Sequence, residues 1–503
     1  MSTRGILGIG MMILLLAGFS QGEKWQMKQR DMQKTGRADY TVPADRQNDR
    51  FFDDILWQTV TTGAFVGSGF VFFDGAGPLG ADVAVCGNTW PNRVTAVDRH
   101  TGKLFWQDTP GGGDSIGQST QAFSNDGTVI YAINDSLTDP VRTILAWHTV
   151  SGPAGGVWDN RFDADPWELA ALSPTVAPDG RIFMHKWDNS SYAGTDNGLF
   201  ITRTWASQPS GYIGACQNDA ALYMDGETLK VVQAGRTGRI SCFDGSSGAE
   251  LWTVLMYEGT DASVTIDPDN GNSYVSAGLN GDIYVVGLDR NGNPLWADSK
   301  MPVYDYQEGQ NDWERAQSTG CLSHDGSTYY FQTIGPAANG KLYAVNTADG
   351  SVRWSNATHS YYPYETWASS PIVTRNGIVV VGTNLSGEYL AVRDDGDHAT
   401  LLDSLKVEPG LYEPYPTLAQ ASVVISADGK MYIPYRTYWT VGNGDNGTPS
   451  GGVEYCLTAF DLSGCDPVDG DLNGDCRVNI MDLAILSSNW LNCGMQPESR
   501  CLE

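Results

Sequence analysis

The chain has 503 residues and a formal net charge of −28, so it is long enough for several domains or one repeat array. That acidity argues against a nucleic-acid partner or docking on anionic lipid, since both need clustered Lys and Arg. Nine cysteines suit an oxidising compartment, and the absence of any CxxC argues against zinc-ribbon, thioredoxin-type and c-type haem sites.

The first residues read MSTRGILGIGMMILLLAGFSQG. One Arg precedes an apolar run over 6–19, followed by small and polar residues. The run is short for a bilayer span and is placed where a signal peptide belongs. Residues 1–22 are therefore expected to be a signal peptide cleaved near Ser20 or Gly22. The expected product is secreted, extracellular or on the surface of a bacterial envelope, with no membrane span.

From there to about residue 464 a repeat governs the chain. VTAVDRHTGKLFWQ (94–107) recurs as ISCFDGSSGAELWT (240–253) and LYAVNTADGSVRWS (342–355), and one residue shorter as YVVGLDRNGNPLWA (284–297). Looser copies end at Trp158 and Trp205. A second element alternates with it: Asp-Gly or Asn-Gly between short apolar runs, a strong hairpin signal. It occurs at Asp74, Asp126, Asp179, Asp225, Asn270, Asp325, Asn376 and Asp428. Eight units of roughly 50 residues with about four strands each predict an all-β, eight-bladed β-propeller over 23–464, or seven blades if one turn is an insertion. A sheet apolar on both faces must stack on its neighbours, and a tryptophan after the glycine gives a large flat surface for that packing. The last copy, YCLTAFDLSG (455–464), stops before any tryptophan. DDILWQTV (53–60), with Trp57, can supply the missing strand and close the ring.

The links from the outer strand of one blade to the inner strand of the next carry aromatic and acidic residues together: DPWELA, NDWERA, YETWAS and YEPYPT. Trp167, Glu168, Trp313, Glu314, Glu365, Trp367, Glu413 and Tyr415 are thus candidates to converge at one end of the channel. There, rings could stack on a sugar and carboxylates accept its hydroxyl hydrogen bonds. The competing expectation is that these aromatics plug the channel or pack between blades. No catalytic residues emerge. GDSIG (113–117) matches a nucleophile pattern without the helix that pattern needs, and the six histidines show no metal-ligand spacing.

The last segment, 465–503, reads as a separate small module. DLNGDCRVNIMD offers Asp471, Asn473, Asp475, the Arg477 carbonyl, Asn479 and Asp482 at positions one, three, five, seven, nine and twelve. This spacing wraps hard oxygen donors around one Ca2+. The following DLAILSSNWL (482–491) has a partly helical apolar period, which predicts an exit helix. Four cysteines, Cys465, Cys476, Cys493 and Cys501, fall in this module, and their three pairings stay open.

Two resemblances follow. AVDRHTGKLFW, through Ala96, Asp98, Thr101, Gly102 and Trp106, resembles the tryptophan-docking repeat of pyrroloquinoline-quinone-type propellers. KWQMKQRDMQKTGRA (24–38) is similar to the segment preceding blade one in that superfamily. The resemblance implies the fold; its members include quinone dehydrogenases, outer-membrane assembly lipoproteins and secreted proteins of no assigned activity. The dehydrogenases hold their quinone over a disulfide of two adjacent cysteines beside a calcium. Cys86, Cys216, Cys242, Cys321 and Cys456 are far apart in this sequence, so pyrroloquinoline quinone is not expected.

The tail resembles a type I dockerin. It departs from that family in showing one loop, in Cys476 at the usual glycine position, and in Ile480 and Met481 at the positions that face cohesin. This implies a cohesin-like or other extracellular partner in a polysaccharide-related assembly. The expected function is a non-catalytic binding or scaffold propeller. The alternatives are a propeller-fold lyase or hydrolase acting on polysaccharide, and a degenerate quinone dehydrogenase. The loop assignment predicts that Asp471→Ala with Asp475→Ala removes one equivalent of bound calcium from the full chain, measured by calorimetric titration.

Overall fold

The computed structural model describes residues 23–463 apart from 48–50, 63–68, 89–92, 110–119, 134–143, 160–172, 186–189, 208–217, 257–258, 279–281, 298–300, 305–314, 336–339, 361–368, 384–386, 407–420 and 444–448; of the tail it describes Leu483 alone. The signal peptide, the calcium loop and its exit helix lie outside the described residues.

Eight sheets, antiparallel among the strands of each blade, form eight blades, which settles the choice between seven and eight. Blade 1 runs outward from the axis through Val71–Phe73, Val83–Asn88, Arg93–Asp98 and Leu104–Asp108. Blades 2 to 7 follow at 122–159, 175–207, 221–255, 265–304, 321–360 and 372–406, and blade 8 begins at 424. Each predicted Asp-Gly or Asn-Gly turn joins the first two strands of one blade. Its glycine takes a positive φ, between 63° and 85° across the eight blades, where a side chain would be strained. Helix is confined, among the described stretch 23–463, to the 3₁₀ turns Ala44–Arg46 and Pro78–Gly80, and no helix is long and apolar enough to cross a membrane.

Blade 8 closes as the sequence anticipates. Its inner three strands are Val424–Ile425, Lys430–Asn443 and Pro449–Asp461, and its outer strand is Ile55–Thr62 from the other end of the chain. Ile55 pairs with Phe460 and Trp57 with Ala459. The middle two strands are 14 and 13 residues long, about twice the other blades' strands, and stay paired as a ribbon out to Asn443 and Pro449.

The tryptophans act between blades. Trp57 Nε1 donates to the Arg99 carbonyl of blade 1 at 2.9 Å, and Trp106 Nε1 to the Thr149 carbonyl of blade 2 at 2.7 Å. Trp205, Trp252 and Trp296 repeat this at Gly245, Arg290 and Thr347 (2.9, 3.3 and 3.1 Å), and Trp354 uses the Asp394 side chain at 2.8 Å. Four of these rings also lie on the glycine of the next blade's turn: Trp57 on Gly102, Trp106 on Gly152, Trp205 on Gly248 and Trp252 on Gly292. A Cβ on Gly102 would come within 2.5 Å of the Trp57 ring, and one on Gly152 within 2.4 Å of the Trp106 ring. The motif glycine therefore serves two ends: it turns its own hairpin, and it makes room for the neighbour's indole. Blade 7 breaks the rule. Asp403 stands opposite Ala391, where a tryptophan stands opposite Ala96 and Ala344. The Phe52 N–H donates to Asp403 at 3.0 Å, and the buried Phe51 and Phe52 fill the junction with blade 8.

Nearer the axis a second ring of contacts runs through one residue per blade. The Gly69 N–H donates to Thr120 Oγ1, that of Thr120 to Ser173 Oγ, and that of Ser173 to Asp219 Oδ1. The series continues from Asp219 to Ser263, Ser263 to Thr319, Thr319 to Ser370 and Ser370 to Ser422. Side-chain oxygens here satisfy N–H groups that would otherwise be buried without a partner.

The segment that the sequence places before blade one is a strap that makes one circuit of the channel. Lys24 and Trp25 pair with Phe73 and Phe72 of blade 1. The carbonyls of Gln26, Met32, Gln33, Thr35 and Gly36 then accept from Phe123, Leu222, Ile266, Leu322 and Val373, in blades 2, 4, 5, 6 and 7. At blade 8, Tyr40 Oη donates to the Leu462 carbonyl. Gly36 is required at its place: its φ is +61°, and a Cβ would meet the Cys321 Cβ at 2.6 Å.

Two substitutions test this packing by chemical denaturation. Trp106→Ala should cost about 3–5 kcal/mol, as for a buried large aromatic. Gly36→Val should destabilise comparably or prevent folding, while Gly75→Val, whose added Cβ meets nothing, should cost only its φ strain of about 1–2 kcal/mol.

Candidate functional site

The strap meets the channel at the end that carries the hairpin turns. Met27 and Arg30 form a backbone bridge around a tight turn in which Gln29 and Arg30 take φ of 57° and 76°. This turn sends polar side chains inward. Gln29 Nε2 donates to the Thr319 and Pro371 carbonyls at 3.2 and 3.4 Å, in the links entering blades 6 and 7. Lys28 Nζ pairs with Asp219 Oδ2 of blade 4 at 2.9 Å. Burial works against the Asp219 carboxylate, but Lys28, Lys34 and the Ser173 N–H hold it below the usual range. Burial pushes Lys34 down to about 8 against the pull of Asp219. It pushes His185, in the same field, down to about 4, so that imidazole is neutral at neutral pH.

On its outer side the strap floors an open hollow of about 680 Å³. Arg30, Asp31, Arg37, Asp39 and His324 line it, but these groups serve one another. Arg30 donates to the Arg37 carbonyl at 2.6 Å and pairs with Asp39; Arg375 reaches Asp39 at 3.2 Å; Arg37 Nε donates to the Leu322 carbonyl. Such a surface can contact a polar ligand. It offers no nucleophile beside a base, and no group of His, Cys, Asp or Glu among the described residues could hold a metal.

A third polar cluster clasps blade 8 to blade 1. Arg99, 3 % exposed, faces Glu23, Asp74 and Asp428 at 3.6, 3.0 and 3.1 Å and lies over the Phe72 ring. Glu23 also accepts from the Ala427 N–H at 2.5 Å. Burial, opposed by Ala427 and Arg99, pushes Glu23 up to about 7, and burial pushes Asp74 up to about 6. His100, beside the clasp, pairs with Asp82 at 2.7 Å.

The candidate residues from the sequence, Trp167, Glu168, Trp313, Glu314, Glu365, Trp367, Glu413 and Tyr415, lie outside the described residues. So do the calcium-loop residues Asp471, Asn473, Asp475, Arg477, Asn479 and Asp482 and the GDSIG segment. The four described body cysteines are buried in blades 1, 4, 6 and 8, an arrangement that does not fit a quinone platform of adjacent cysteines. Sequence reasoning missed Lys28, Lys34 and Asp219. The one available signal was the density of Lys and Arg in KWQMKQRDMQKTGRA within so acidic a chain.

A family profile described as outer membrane protein assembly factor BamB matches residues 203–433, from the outer strand of blade 3 into blade 8. The repeats over 203–433 resemble this BamB-like type. Among solved structures, a europium-containing methanol dehydrogenase is similar at 14 % identity, with 87 % of this chain and 98 % of that one covered and a TM-score of 0.59. The quinohemoprotein alcohol dehydrogenase of Comamonas testosteroni is similar at 13 % identity over 90 % and 82 %, TM-score 0.54. Sqt1 of Saccharomyces cerevisiae is similar at 12 % identity over 82 % and 99 %, TM-score 0.53. At these identities the likeness is one of fold. No curated protein sequence matches the chain.

The clasp has a pH signature. A carboxyl held above its ordinary value favours the folded state while protonated. Its contribution is complete below about pH 4.5 and is lost as pH rises through about 7 for Glu23. Glu23→Gln keeps an acceptor for Ala427 and cannot ionise. Relative to wild type, it should gain stability between pH 5 and pH 8, by on the order of 2–3 kcal/mol, read as a Tm difference; His100 acts in both proteins, and the Asp74 charge contributes to the Glu23 shift. A difference that stays constant with pH would contradict this.

Proposed function

We propose that the protein is a secreted, non-catalytic propeller that binds or scaffolds. In this reading a dockerin-like tail holds it, through Ca2+ at Asp471, Asn473, Asp475, Arg477, Asn479 and Asp482, to a cohesin-like or other extracellular protein in a polysaccharide-related assembly. The observation that carries the non-catalytic reading is the strap. The strap lies across one end of the channel, and apart from Lys34 its charged groups named above pair within the strap or with a blade: Arg30 with Asp39, Lys28 with Asp219 and Glu23 with Arg99. A catalytic centre needs ionisable groups poised toward a reactant; these are held by structural partners. The BamB-like repeats support the same reading, because they bring a fold shared by structures as different as dehydrogenases and Sqt1.

Ligand contact then falls to the other end of the channel, where the links enter each inner strand. Trp167, Glu168, Trp313, Glu314, Glu365, Trp367, Glu413 and Tyr415 belong to four of those links, and aromatic faces beside carboxylates suit a carbohydrate. The test is a panel of neutral and acidic polysaccharides offered to the full chain. Binding without turnover, abolished by Trp313→Ala with Trp367→Ala, is the expected result. Release of unsaturated uronate, seen as ultraviolet absorbance, would replace this reading with a lyase. A quinone chromophore retained through gel filtration would replace it with a dehydrogenase.

A further inference from the structure

Beneath the strap, two ammonium groups share one carboxylate. Asp219 is the charged member of a ring whose other acceptors are the hydroxyls of Thr120, Ser173, Ser263, Thr319, Ser370 and Ser422. A hydroxyl would accept the Ser173 N–H equally well, so the ring does not explain a carboxylate in blade 4. Lys28 explains it, and Lys34 is left over. Lys34 is fully buried, and its Nζ finds no acceptor among the described residues.

Neither nearby carboxylate is available to take it. Asp219 already accepts from Lys28 at 2.9 Å, the Ser173 N–H at 2.5 Å and Ser263 Oγ at 3.2 Å. Asp31, whose pull on Lys34 is weaker than that of Asp219, gives both oxygens to Thr35. A buried ammonium with no partner is among the most costly arrangements a fold can contain.

We infer that Lys34, with Lys28 close enough to act on its charge, forms a binding site for a small oxyanion of the carboxylate or phosphate class. Lys34 brings three N–H donors, and Lys28 has two beyond the one given to Asp219. Lys28 keeps 18 % side-chain exposure, so solvent reaches it. The inference is independent of carbohydrate binding: it needs only the strap and blade 4.

The test measures Tm of the full chain at pH 7 in chloride, inorganic phosphate and acetate at matched ionic strength. Wild type should rise by roughly 1–3 °C in phosphate or acetate at about ten times the dissociation constant. A response to one probe alone assigns the phosphate or the carboxylate class. Lys34→Met should lose the increment while its Tm in chloride equals or exceeds that of wild type, because an unpaired buried charge has been removed. An equal increment in Lys34→Met, or none in wild type with either probe, overturns the proposal. If Lys34→Met does not fold, wild type decides. Its acetate increment should vanish by about pH 9.5, where Lys34 is neutral and exposed lysines are still charged; an increment that persists belongs to surface amines and overturns it equally.

Discussion

Everything in this fold depends on backbone carbonyls of the strap meeting inner-strand N–H groups in blade after blade. A propeller blade has two apolar faces and two sheet edges, and stacking buries the faces while leaving the inner edges pointing at the axis. Here the edge of the channel is capped by chain rather than by water. Gln26, Met32, Gln33, Thr35 and Gly36 each satisfy one blade, and the ring of hydroxyl acceptors around Thr120, Ser263 and Ser370 satisfies the next N–H groups along. The two sets act on the same short inner strands, roughly three residues apart, and hold the eight sheets at a common height. The tryptophans then lock the outer part of the blades, each indole bridging to a neighbour's turn.

What was legible in the sequence was whatever repeats locally. The Asp-Gly and Asn-Gly turns, the turn glycines and the tryptophans recur at near-constant spacing because each blade solves the same problem, and counting them yields eight blades. Closure by Trp57 was legible for the same reason, since an incomplete last copy implies a missing strand elsewhere. The strap was not legible as a circuit. Its contacts are made by main-chain carbonyls, which every residue possesses, and its partners lie hundreds of residues away. Blade 7 was obscured differently. Asp403 replaces the indole and recruits Phe52 from a distant segment, so nothing nearby in the sequence marks the substitution. The long ribbon of blade 8 also escaped, because YIPYRTYWTVGN carries no repeat signature of its own.

The candidate sites divide along the same line. Calcium-loop spacing is a local pattern and could be read directly. The pairing of Lys28 with Asp219, and the stranding of Lys34 beside it, exists only once strap and blade 4 are folded together. The functional reading draws on both. Fold likeness to dehydrogenases and to Sqt1 establishes the scaffold and nothing about chemistry, whereas the occupied channel end bears on what chemistry the scaffold has room for.

The strap also orders events in time. It is made before any blade, yet its last bond joins Tyr40 to Leu462, 422 residues further along the chain, and the outer strand of blade 8 waits for the same segment. A nascent chain lacking its last blade has a strap with no final anchor and a ring with a gap. Closure is thus deferred until nearly the whole polypeptide exists, and the loop-closure entropy of that contact falls due at the end. Under the secreted reading proposed above such a delay is useful: topology alone keeps the chain open through synthesis, and the native ring forms only after its final blade has followed.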